Sequence, residues 1–160
     1  MKIRKAVQRE AGLLSELAFR SKAYWGYSED FMEACREDLT ITPDLIESSS
    51  VYVLEDRGQI QGFYALDLEH DGFLLRDLFV DPSTIGKGCG KALWNHMIRT
   101  AHDLNAAEVR IHSDPNAESF YKKMGAKRIG ETASTVFPDR ILPLMAVSIT
   151  GETPQGTMQK

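Results

Sequence analysis

A chain of 160 residues, 42% of them hydrophobic, suits one packed domain; general disorder is excluded, and a second core would leave both too small. A net charge of −4 leaves no arginine- or lysine-rich stripe for nucleic acid, and the largest basic groups, Lys122-Lys123 and Lys127-Arg128, are too short to form a tail. The two cysteines, Cys35 and Cys89, stand in no metal-ligand pattern and read as reduced thiols of a cytoplasmic protein; neither a signal peptide nor a bilayer span is expected.

Lys2 to Val7 alternates Ile3, Lys5 and Val7 against Arg4 and Ala6, a first strand. Leu13, Leu14, Leu17 and Ala18 recur at helical spacing and predict a helix from about Arg9 to Lys22. Tyr24-Trp25-Gly26-Tyr27 interrupts it. Ser28 is the N-cap of a second helix whose first turn carries Glu29 and Asp30, where negative charge suits the dipole. Phe31, Met32, Cys35 and Leu39 are its expected buried side. Thr42-Pro43 opens a short third turn, with Pro43 at the first helical position. Strands over Ser50 to Asp56 and Gln59 to Glu69 flank the turn Asp56-Arg57-Gly58, and a second turn, His70-Asp71-Gly72, leads into a strand over Phe73 to Val80. A helix over Lys91 to Leu104 has an apolar stripe of Leu93, Trp94, Met97, Ile98 and Ala101. A strand over Ala107 to His112, a helix over Pro115 to Met124 and strands over Lys127 to Glu131 and Ile141 to Ile149 complete the domain. It is expected to occupy 1–150, with a flexible tail at 151–160. Hairpins first and strand–helix–strand units later imply an α/β domain with a mixed sheet and helices on both faces.

The segment Asp81-Pro82-Ser83-Thr84-Ile85-Gly86-Lys87-Gly88-Cys89-Gly90-Lys91 joins an apolar strand to a helix. Three alternating glycines remove the Cβ atoms that would hold an anion off the main chain. The first amides of a helix have no internal partner and lie at the positive end of its dipole, so a pyrophosphate is the expected guest. The plainer reading is a tight turn with close helix–sheet packing. Neither the Walker A spacing nor the Gly-x-Gly-x-x-Gly fingerprint is present: Ala92 follows Gly90-Lys91, and the third glycine comes one residue early.

Together, Leu74-Leu75-Arg76-Asp77-Leu78-Phe79-Val80-Asp81-Pro82 and Gly86-Lys87-Gly88-Cys89-Gly90-Lys91-Ala92-Leu93 resemble the acetyl-CoA motif of the GNAT superfamily of N-acetyltransferases. The run Asn116-Ala117-Glu118-Ser119-Phe120-Tyr121-Lys122-Lys123-Met124-Gly125-Ala126 is similar to that family's second motif, at the right separation. Residue-level likeness covers about 74–126, and element order covers nearly the whole chain.

The resemblance implies a GNAT-like, splayed sheet of about six to seven strands, with acetyl-CoA as cosubstrate. It assigns the amides of Gly86, Lys87, Gly88, Cys89, Gly90 and Lys91 to the pyrophosphate. The main chain of Leu78, Phe79 and Val80 falls to the pantetheine arm, and Asn116 and Ser119 also fall to the cofactor. Tyr121 is the implied donor of a proton to the departing thiolate. One departure stands out: the family usually carries Gln or Arg at the position of Ile85. The implied activity is acetyl transfer to a primary amine by direct attack, the acceptor being a small molecule or a peptide. The alternative is a non-catalytic acetyl-CoA-binding sensor or docking module. The family often pairs through edge strands or helices, so a homodimer is an expectation.

An alkyl amine of pKa near ~10.4 is protonated at neutral pH, so attack needs a base or a water relay. Asp77 and Glu69 are the candidates, each weighed against a solvated strand carboxylate; His112 ends a strand but reads more simply as structural. For Tyr121 the competing reading is packing on the sheet, and for Asn116 it is helix capping, for which Ser113 and Asp114 compete. Tyr24, Trp25 and Tyr27 either wall an amine pocket or staple two helices. Arg140, after Phe137-Pro138-Asp139, is a candidate for recognising an acidic acceptor group.

Overall fold

The computed structural model describes residues 1–149; the tail expected at 151–160 lies outside the described residues. In chain order they form β1 (Lys2–Lys5), a 3-10 turn at Gln8–Glu10, α1 (Ala11–Ala23), α2 (Glu29–Leu39), α3 (Pro43–Ser48), β2 (Ser50–Asp56), β3 (Gln59–Glu69) and β4 (Gly72–Val80). A 3-10 turn at Pro82–Thr84 follows, then α4 (Cys89–Asp103), β5 (Glu108–His112), a 3-10 turn at Pro115–Ala117, α5 (Glu118–Lys123), β6 (Lys127–Ala133) and β7 (Ile141–Ser148). The seven strands make one mixed sheet in the order β1-β2-β3-β4-β5-β7-β6, as the α/β expectation required. Two-residue links at 57–58 and 70–71 are too short for anything but antiparallel returns. β4 and β5 run parallel, registered at Phe73↔Val109 and Leu74↔Arg110, and among the described residues Leu75 to Val80 carry no register with β5.

Two compact units divide the chain. The first comprises Met1–Ala65 and Asp77–Leu93. Here α1 and α2 pack together, burying Leu14, Leu17, Ala18, Met32, Cys35 and Leu39. The Ser28 hydroxyl accepts from the Phe31 amide and that of Thr42 from the Leu45 amide, so both expected caps form. Phe31 departs from its expected buried place: it is half-buried and stacks on Tyr27 at 4.1 Å. The first helix also starts later than its periodicity suggests. Glu10 closes a capping interaction, its carboxylate accepting from the Val7 amide at 2.9 Å and from both Arg4 nitrogens at 3.1 and 2.7 Å.

The Arg4 guanidinium is the largest influence holding the Glu10 carboxyl below its ordinary value. A lowered carboxyl pKa makes the contribution full above the unfolded value and lost as pH falls through the folded one. Wild-type stability in urea is therefore expected to fall on acidification from neutral pH, while Glu10→Gln starts lower and converges with it. A gap that stays constant at every pH would show that the ion pair contributes nothing.

Gly62, inside β3, lies in close approach to β4. A Cβ built there would lie 2.9 Å from the Phe79 carbonyl oxygen, 2.9 Å from Leu93 Cδ1 and 3.2 Å from Val80 Cγ1. The leucine tip can swing aside, but the carbonyl belongs to β4 and cannot. Gly62→Ala is expected to cost about 1–3 kcal/mol as overpacking, seen as a lower thermal midpoint; an unchanged midpoint would mean that β4 yields freely.

The second unit comprises Leu66–Arg76 and the chain from Trp94 onward. β7 lies between β5 and β6, antiparallel to both, and the β6–β7 register shifts between Arg128 and Gly130. Trp94, Met97, Ala101, Val109, Ile111 and Met145 are among its buried side chains, and Trp94 sits 5.8 Å from the ring of Tyr121.

Candidate active site

The glycine-rich loop follows the end of β4 at Val80. Asp81 Oδ1 accepts from the Ser83 amide at 3.0 Å and from its hydroxyl at 2.8 Å, and Pro82 occupies the first position of the 3-10 turn. The Asp81 carbonyl accepts from the Thr84 amide, and the Thr84 carbonyl from the Lys87 amide at 3.0 Å. Gly86 and Gly88 then adopt φ of +85° and +83°, a left-handed backbone that side chains resist. The Ala92 amide makes the helical bond to the Gly88 carbonyl, so the amides of Cys89, Gly90 and Lys91 lie ahead of that ladder. The Lys87 amide, included in the expected phosphate cradle, is turned inward to Thr84 instead.

A Cβ added at Gly86 or Gly88 would meet no protein atom within 4 Å. Close helix–sheet packing therefore does not explain these two glycines; open space lies before them. Lys87 and Lys91 are exposed at the rim. An anion-bearing cosubstrate fits this arrangement of positive charge, glycine and forward-lying amides.

On β4, Leu78, Phe79 and Val80 are half-buried. Asp77 is 7% exposed, with Oδ2 enclosed, which overturns its reading as a solvated strand carboxylate. Strand alternation explains this, since Asp77 shares a face with buried Leu75. Glu69 is exposed; its carboxyl is pushed up, first by a hydrogen bond with Asp67 and then by burial and the Asp67 and Asp71 charges. His112 is exposed and pairs with Leu144 across the β5–β7 ladder.

In the second motif, Asp114 takes the capping position for which Ser113 and Asn116 were rivals. Its Oδ1 accepts from the Asn116 amide at 2.8 Å and from Asn116 Nδ2 at 3.0 Å, while the Ser113 hydroxyl donates to the Asp114 carbonyl. Asn116 and Ser119 are exposed. Tyr121 is 7% exposed, between Trp94 and Phe120, so the packing reading holds for its ring, and its hydroxyl role is taken up below. Arg140 approaches the same Asp114 carboxylate at 3.8 Å; it is not a bare surface arginine.

The aromatic cluster divides. Tyr27 joins the helical hairpin by stacking on Phe31, under the ammonium of Lys22 at 5.3 Å. Tyr24 and Trp25 form an edge-to-face pair at 5.6 Å, 56% and 47% exposed. Sequence reasoning missed Gly62 and the tie between Arg20 Nη2 and Asp81 Oδ2, 2.7 Å long. A glycine in mid-strand was the available signal for the first; a pair 61 residues apart offers none for the second.

Against known proteins, the model of the acetyltransferase (GNAT) domain family matches residues 21–135. The chain is 33% identical over 110 residues to the peptidyl-lysine N-acetyltransferase YjaB of Salmonella typhimurium, covering 66% of this chain and 70% of that one. The PaiA N-acetyltransferase of Thermoplasma acidophilum, solved in complex with coenzyme A, has a similar fold, with a TM-score of 0.75, 21% identity and coverage of 92% and 98%. The ribosomal-protein-S18-alanine N-acetyltransferase of Escherichia coli superposes with a TM-score of 0.68 at 18% identity, covering 93% of this chain and 94% of that one. The chain belongs to the GNAT acetyltransferase family and is an acetyl-CoA-dependent N-acetyltransferase.

Proposed function

We propose that the chain transfers the acetyl group to a primary amine by direct attack, and that the acceptor is an aliphatic amine such as a lysine side chain. The cytoplasm is the proposed setting, in keeping with two reduced cysteines. The observation that carries the reading is the loop at Gly86 and Gly88, left-handed and facing open space, with the amides of Cys89 to Lys91 ahead of the helix ladder. The relative at 33% identity, named for peptidyl-lysine, supports the acceptor class.

When bound, acetyl-CoA supplies an activated acetyl group. The amides of Cys89, Gly90 and Lys91 would hold the diphosphate, with Lys87 and Lys91 adding positive charge at its edge. The main chain of Leu78, Phe79 and Val80 would offer its amide and carbonyl groups to the pantetheine arm. Asn116 and Ser119 support that arm. Tyr121 holds the proton that the leaving sulfur requires; a thiol of pKa near ~8.5 departs with only modest acid help. Asp77, or a water relayed through it, takes the proton from the amine. Exposed Tyr24 and Trp25 receive the cationic acceptor on their ring faces, and Arg140, 3.8 Å from the Asp114 carboxylate, is the residue for an acidic group on the acceptor.

Thiol release from acetyl-CoA, followed with a lysine-containing peptide and a panel of small amines, tests the reading. Saturable turnover with the lysyl peptide is expected. Tight coenzyme A binding without turnover on any amine would instead establish the sensor.

A further inference from the structure

We propose that Arg20 is a positioning residue for the phosphate loop, acting through Asp81. Arg20 lies in the last turn of α1, and its Nη2 donates to Asp81 Oδ2 at 2.7 Å. The other carboxylate oxygen, Oδ1, is the one that accepts from the amide and hydroxyl of Ser83. Arg20 thus fixes the rotation of the carboxylate and aims Oδ1 at the turn. From there the linkage is continuous: the Asp81 amide donates to the Gln61 carbonyl at 2.7 Å, the Asp81 carbonyl accepts from Thr84 twice, and the Thr84 carbonyl accepts the Lys87 amide. Gly88, next in sequence, has φ of +83°, and the amides of Cys89 to Lys91 follow it ahead of the helix ladder.

Ile85, at the centre of this loop, has an apolar side chain that is 48% exposed and contributes no polar support. The guanidinium arriving from α1 supplies polar support from outside the loop. An exposed ion pair is ordinarily worth little because two mobile side chains must be ordered. Here the carboxylate is already held by the Ser83 amide and hydroxyl, so much of that ordering is met before Arg20 binds. The same two residues hold the Asp81 carboxyl below its ordinary value.

The inference rests on the loop being the diphosphate site, and the test separates the two. Steady-state kinetics would be measured with acetyl-CoA and with S-acetylpantetheine, which has the thioester arm without the diphosphate, for wild type, Arg20→Gln and Arg20→Lys. The expected result is a KM for acetyl-CoA raised about threefold to fivefold in Arg20→Gln, with kcat and the KM for S-acetylpantetheine near wild type, and recovery in Arg20→Lys. An equal rise for both thioesters, a fall in kcat alone, or an unchanged KM would overturn the positioning role. A wild-type enzyme that does not distinguish the two thioesters would overturn the diphosphate reading itself, and the proposal with it.

Discussion

Gly88→Val is expected to lose coenzyme A binding by about a hundredfold or more, with the domain still folded. Two effects combine. Gly88 has φ of +83°, and a β-branched side chain held there carries about 1–3 kcal/mol of strain, which the loop relieves by moving its amides. The new side chain would also project into the space that the protein leaves open before the loop, which is the proposed place of the ligand phosphates. Calorimetric titration with coenzyme A, alongside a thermal midpoint, separates the two: lost binding with a modest midpoint shift is the expected pair. Gly88→Ala should fall between. Full affinity in the valine variant would reduce the loop to a plain turn.

Tyr121→Phe is expected to lower kcat by about a hundredfold while leaving the affinity for coenzyme A nearly unchanged. The ring of Tyr121 is buried against Trp94 and Phe120, and phenylalanine keeps that shape, so the variant removes a hydroxyl and little packing. Proton donation matters only as the sulfur departs, and the loss should therefore appear in kcat and not in cofactor binding. Raising the pH favours the thiolate as leaving group and should narrow the deficit. Equal turnover in the two proteins would remove Tyr121 from the chemistry.

Much of the scaffold was readable because its signals are local. The caps at Ser28 and Thr42, the two-residue hairpin links and the strand–loop–helix at Asp81–Lys91 are each set by a few neighbouring residues. What escaped is non-local. Nothing in the sequence places β7 between β5 and β6, since strand pairing is chosen by three-dimensional packing and not by order. From the sequence Asp77 reads either as a base or as a solvated carboxylate, because charge normally seeks water; its place on the face of Leu75 puts it inside. The two kinds of glycine in and near the loop also looked alike in the sequence. Gly86 and Gly88 serve conformation beside open space, whereas Gly62 serves close approach, and only neighbours in space tell them apart.

Cys35 and Cys89 are 3% and 4% exposed, and they are the only sulfhydryls in the sequence. A disulfide dye added to the native protein should therefore develop colour slowly, at a rate governed by local opening. Coenzyme A released by turnover would react at once, so reaction progress can be read continuously against a low background. Any prompt stoichiometric burst from the protein alone would report that the start of α4 or the middle of α2 breathes.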